Sequence, residues 1–170
     1  MVYKRVLVTL DGSQASEAIL PEVEKLGQST GVEVLLLMVV PPPERTTEGP
    51  SPLVVSGVPA PGGTVSMPAP RAYESRGQAI ERAKEEVRHY LDDKAATLTE
   101  TGLNVKTHVA VGKPVDEIVA HVREYGADLI MMATHGHSGL SQVIFGGVAG
   151  RVLGSGARPV LLVRPDRSES

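Results

Sequence analysis

Residues 133–147 read Ala-Thr-His-Gly-His-Ser-Gly-Leu-Ser-Gln-Val-Ile-Phe-Gly-Gly and follow directly on the apolar run Leu129-Ile130-Met131-Met132. A buried strand, a glycine-rich loop and a glycine pair at a helix start are the parts of an anion cradle. Glycines let the backbone approach a ligand, and unpaired N–H groups with the positive end of a helix dipole favour phosphate. The same stretch equally suits a strand-to-helix turn that holds no ligand. His135 and His137 flank Gly136. With no cysteine in the chain and no carboxylate beside them, they read as loop donors near phosphate or water rather than a metal pair. The run Gly136-His137-Ser138-Gly139 fails as a nucleophile elbow because Leu140 stands where the last glycine belongs. Neither a Gly-x-Gly-x-x-Gly dinucleotide fingerprint nor a Walker A sequence occurs. No residue reads as a placed general base or as part of a Mg2+ carboxylate cluster, so no catalytic and no metal residue is assigned.

The elements that must position this loop follow from periodicity. Residues 6–10 are a short apolar run and 32–40 a nearly continuous one, and such runs are buried on both faces as parallel strands are; 129–133 and 159–163 give two more strands. Residues 105–111 alternate apolar and polar, which predicts a less covered, edge-like strand. Helical spacing appears after Ser13 (an N-cap candidate), over 71–101, after Lys113-Pro114, and over 148–153. Pro21 should bend or break the first helix, and Gly27 and Gly31 should mark its end. The order β-α-β-(loop)-α-β-α-β-α-β predicts an α/β fold: one domain over 1–170 with an open five-stranded parallel sheet and helices on both faces. Ligands of such sheets bind beyond the carboxyl ends of the strands where the strand order reverses. Residues 9–11 and 133–136 are the natural pair to flank that crevice.

Composition narrows the partners. The 170 residues carry a net charge of −3 and no dense Lys/Arg block, which argues against nucleic acid and anionic membranes. Absence of cysteine excludes disulfides and thiolate chemistry. No segment is long and apolar enough to span a bilayer, and Met-Val-Tyr-Lys-Arg runs straight into the first strand with no leader-like stretch. A cytoplasmic protein is therefore expected. Residues 41–70 hold nine of the thirteen prolines and four glycines, so they read as a long loop inserted within the domain.

Three segments resemble the universal stress protein family: Val-Leu-Val-Thr-Leu-Asp-Gly-Ser at 6–13, Gly112-Lys113-Pro114 before a helix, and residues 133–163. ATP-binding members carry Gly-x-x-Gly-x9-Gly-(Ser/Thr) in the third segment. Here Ala133 stands for the first glycine, Gly136 and Gly146 keep the spacing, and Gly147 replaces the Ser/Thr. The resemblance implies strand order 3-2-1-4-5, in the Rossmann-like arrangement shared with adenine nucleotide α-hydrolases. It also implies a homodimer paired through the last strand, Val160–Val163. Asp11 would lie beside adenine and ribose, Thr9 and Leu10 would give backbone around the base, and Val39 would pack on it. Gly136, Gly146, Gly147 and Val148 would hold phosphates through N–H groups, with Gly112 near the ribose. The implied ligand is ATP, with or without Mg2+, bound as a regulatory adenine nucleotide with little or slow hydrolysis. The family's nucleotide-free branch, dimeric stress or interaction proteins with a purely structural glycine loop, is the alternative toward which Ala133 and Gly147 lean. Enzymes of the related hydrolase and ligase group resemble Ser-Gly-Gly-x-Asp-Ser after the first strand, whereas residues 11–16 read Asp-Gly-Ser-Gln-Ala-Ser.

Overall fold

A computed structural model describes residues 3–42, 76–134 and 147–165. Residues 43–70 of the expected loop, 71–75 of the helical stretch expected over 71–101, most of the expected glycine loop (135–146) and the tail from 166 lie outside them. The described elements are β1 (Arg5–Leu10), α1 (Gln14–Glu17), α2 (Leu20–Thr30), β2 (Glu33–Val40), α3 (Arg76–Glu100), β3 (Asn104–Val111), α4 (Pro114–Tyr125), β4 (Leu129–Ala133), α5 (Gly147–Gly154) and β5 (Val160–Val163). All neighbouring strands pair in parallel, in the order β3-β2-β1-β4-β5. The expected strand order is therefore observed, and β3 is an edge as its alternation predicts.

Parallel strands buried on both faces need two cores, and both are present. Val6, Val8, Leu36 and Met131 meet Ile19 at the α1–α2 junction, Val23 of α2 and Leu91 of α3 on one face. Leu7, Leu37, Ile130 and Met132 meet Ile118, Val122 and Val152 of α4 and α5 on the other. Each such side chain taken from water contributes roughly 1.5–3 kcal/mol, which is what holds the strand ends in place. Among the described residues no helix is long and apolar enough to cross a membrane.

The first helical stretch breaks as Pro21 requires. α1 stops at Glu17, and α2 restarts with Pro21 in its first turn, where a missing N–H costs nothing. Gly31 ends α2 with φ of 67°. Gly27 does not mark the exit. It lies buried inside α2, where a Cβ would come within 2.5 Å of Leu103, so it is a close-packing position. Pro114 opens α4, and Gly126 closes it at φ 69°. On α3 the charges form a solvated face of pairs such as Glu81 with Lys84 and Glu85 with Arg88.

Candidate functional site

β1 lies between β2 and β4, so the chain leaves its carboxyl end toward one side of the sheet and returns on the other. At that reversal a cavity of about 270 Å³ opens. Its floor is Thr9 and Leu10 of β1 with Met132 and Ala133 of β4, and Asp11 stands at its edge. One wall is Leu37 and Val39 of β2 with Pro114 and Ile118 of α4; Gly147, Val148 and Ala149 of α5 form another. Strand alternation puts Leu37 and Val39 on the same face, and Pro114 and Ile118 are one helical turn apart. Asp11 is the one ionisable side chain among the described lining residues. Thr9 and Ser16 add hydroxyls and the other lining side chains are apolar, as suits a flat, weakly polar group.

Seven residues expected at the site converge here: Thr9, Leu10, Asp11, Val39, Ala133, Gly147 and Val148. His135, Gly136, His137 and Gly146 lie outside the described residues. Gly112 does not line the cavity. It follows β3, donates its N–H to the Val40 carbonyl at 3.1 Å, and has the Glu117 side chain folded against it. Ser16, Leu37, Pro114, Ile118, Met132 and Ala149 line the cavity without having been expected. Leu37 was readable as the i−2 neighbour of Val39. The others look like core residues until the helices are placed.

Gly147 is the first residue of α5, and the first N–H groups of a helix have no intrahelical partner. The start of α5 thus brings N–H groups and the positive dipole end to the cavity. A Cβ at Gly147 would meet no described residue within 4 Å, so none of those residues requires the side chain to be missing. Among the described residues no non-glycine has positive φ, so Ala133 occupies ordinary strand geometry and needs no glycine there.

The turn after β1 is held by short hydrogen bonds. Asp11 Oδ1 accepts from the Ser13 N–H at 2.9 Å and from the Ser13 hydroxyl at 2.6 Å. Ser13 Oγ caps α1 by accepting from the Ser16 N–H at 3.1 Å, as expected of an N-cap. The adjacent Glu17 ties α1 to α3, accepting from Tyr90 Oη at 3.0 Å and Lys94 Nζ at 2.8 Å. The Lys94 hydrogen bond holds the Glu17 carboxyl below its ordinary pKa, and burial followed by the Glu17 hydrogen bond pushes the Tyr90 phenol well up. On α4, His121 Nδ1 lies 2.7 Å from the Glu117 carbonyl, and its ring lies 4.5 Å from that of His108 on β3. Partial burial, then the charge of His121, lowers the His108 pKa, while Glu124 and Glu117 pull it the other way. No group of three His, Asp or Glu side chains among the described residues is placed to hold a metal ion.

The model of the universal stress protein family matches residues 51–164. The universal stress protein MJ0577 of Methanocaldococcus jannaschii is 27% identical over 168 residues, covering 99% of both chains. The solved MJ0577 structure superposes with a TM-score of 0.74 at 26% identity, over 99% of this chain and 100% of that one. YxiE, a universal stress protein of Bacillus subtilis, is 28% identical over 163 residues, covering 96% of this chain and all of its own. A universal stress protein family structure from Arabidopsis thaliana shares the fold at 17% identity and a TM-score of 0.59, covering 98% and 94% of the two chains. With the family model spanning most of its length and the β3-β2-β1-β4-β5 sheet beneath it, this chain belongs to the universal stress protein family.

Proposed function

We propose that this universal stress protein binds an adenine nucleotide, ATP or a lower phosphate, as a regulatory ligand in a cytoplasmic homodimer. The single observation behind this reading is the cavity that joins Asp11, Val39 and the start of α5 at the reversal of strand order. The base fits between Val39, Leu37 and Ile118, the sugar lies toward Asp11, and the phosphates lie at the first N–H groups of α5. On this reading His135, Gly136, His137 and Gly146 complete the phosphate end. The Arabidopsis neighbour was solved with AMP bound, a precedent for such a ligand on this fold. β5 is the outer strand beside β4, and Leu161 on it is exposed, which suits pairing of two copies through Val160–Val163. Asp11 is the one ionisable side chain among the described lining residues, and in this reading it lies at the sugar rather than at the phosphates, so hydrolysis is slow or absent. If Mg2+ accompanies ATP, the phosphate oxygens and water supply its ligands.

The test is to purify the protein without added nucleotide, denature it, and chromatograph the supernatant, then incubate fresh protein with ATP. Stoichiometric adenine nucleotide, with ATP unchanged over an hour, is the expected result. No nucleotide in the preparation and no binding of added ATP at millimolar concentration would favour the nucleotide-free alternative.

A further inference from the structure

Two serines after β1, Ser13 and Ser16, are hydrogen-bonded to Asp11. In their network each backbone N–H donates and each backbone carbonyl accepts. Ser16 Oγ donates to the Ser13 carbonyl at 2.8 Å and accepts the Asp11 N–H at 3.3 Å. Ser13 Oγ accepts the Ser16 N–H at 3.1 Å, so its own proton goes to Asp11 Oδ1 at 2.6 Å, beside the Ser13 N–H at 2.9 Å. Gly12, at φ 80°, lets the chain double back for this, with Met38 Cε 3.3 Å from where a Cβ would be. Ser16 is 4% exposed, so water does not compete for its bonds. The result is an exposed carboxylate at the cavity's edge whose orientation is set by the hydrogen bonds of its own turn.

We propose that Ser13 and Ser16 are positioning residues that present the Asp11 carboxylate to the cleft as a fixed acceptor, so that this end takes a hydrogen-bond donor of the ligand and excludes its phosphate. This rests on the nucleotide-binding reading and deepens it. An ionised carboxylate accepts and does not donate, and it repels a second anion. The donor comes from a sugar hydroxyl or from the exocyclic amine of the base. Phosphate is left to α5, across the cavity, where the first N–H groups of the helix are.

Calorimetric titration tests this with AMP, 2′,3′-dideoxy-AMP and IMP, on wild type, Ser13→Ala, Ser13→Thr, Asp11→Ala and the Ser13→Ala/Asp11→Ala double variant. Ser13→Ala should weaken AMP about tenfold, Ser13→Thr should stay within about twofold of wild type, and Ser13→Ala should change nothing further once Asp11 is alanine. On wild type, one analogue should bind as weakly as AMP binds Asp11→Ala: dideoxy-AMP if the sugar donates, IMP if the amine does. Those two arms need no variant to fold. Equal weakening by Ser13→Ala with and without the carboxylate, or wild-type affinity for both analogues, would overturn the proposal. Wild type that binds no AMP at all would overturn the nucleotide reading itself, and the proposal with it.

Discussion

Gly147→Ser puts back, at the start of α5, the hydroxyl that the ATP-binding pattern carries, and the structure says what it should do. The position is exposed, its φ is not positive, and a Cβ built there meets no heavy atom of the described residues within 4 Å. No described residue opposes the substitution, and leaving glycine stabilises the helix by a few tenths of a kcal/mol to about 1 kcal/mol. A hydroxyl there can donate to a phosphate oxygen. A hydrogen bond to a charged group is worth about 1.5–3 kcal/mol, or about 10–100-fold in affinity. Gly147→Ala separates the hydroxyl from the helix effect. Calorimetry with ATP, AMP and adenosine should find Gly147→Ser tighter than Gly147→Ala for both phosphates and equal to it for adenosine. Equal affinities of the two variants for ATP, or tightening that extends to adenosine, would refute phosphate placement at α5. Ala133→Gly is the companion: Ala133 already has ordinary strand geometry, so glycine there should add no affinity and cost about 0.5–1 kcal/mol of stability.

Three further outcomes follow from the packing and the charges. Gly27→Ala should destabilise by about 1 kcal/mol in urea titration, because overpacking against Leu103 at 2.5 Å outweighs the helix propensity gained; a more stable variant would contradict the close-packing role. Glu17→Gln should cost about 1–2 kcal/mol at pH 7 by loosening α1 from Tyr90 and Lys94. Because the Glu17 pKa is lowered on folding, this contribution is present above pH 4.5 and lost as pH falls below it through the lowered pKa, so the two proteins should converge in stability as the carboxyl protonates. His108 behaves differently: the folded chain binds its proton less readily than the unfolded chain, so its contribution is full above the ordinary value of 6.5 and is lost as pH falls through 6.5 to the lowered pKa. His108→Gln should therefore lose less stability than wild type between pH 7.5 and pH 5.5, measured by thermal melts; equal losses would refute it.

The strands were readable because parallel pairing demands apolar residues on both faces, and residues 6–10, 32–40 and 129–133 have them. Their lateral order was not readable from periodicity and came from the family resemblance. Gly27 misled because a glycine near a helix end looks the same whether it caps the helix or admits Leu103. At the site, Asp11, Val39 and Gly147 stood out by motif. Ile118 and Met132 did not, since an apolar side chain facing a cavity has the same sequence pattern as one facing the core. Ser16 was hidden for another reason: only the fold of the turn shows that its hydroxyl reaches back to Asp11.

The most direct measurement of the central claim is methyl NMR of the full chain during titration with ATP. Saturable shifts concentrated at Leu37, Val39, Ile118 and Val148, with Val105 and Val87 on the opposite face of the sheet unmoved, are the result this account predicts. Shifts scattered over both faces, or none at millimolar ATP, would contradict it.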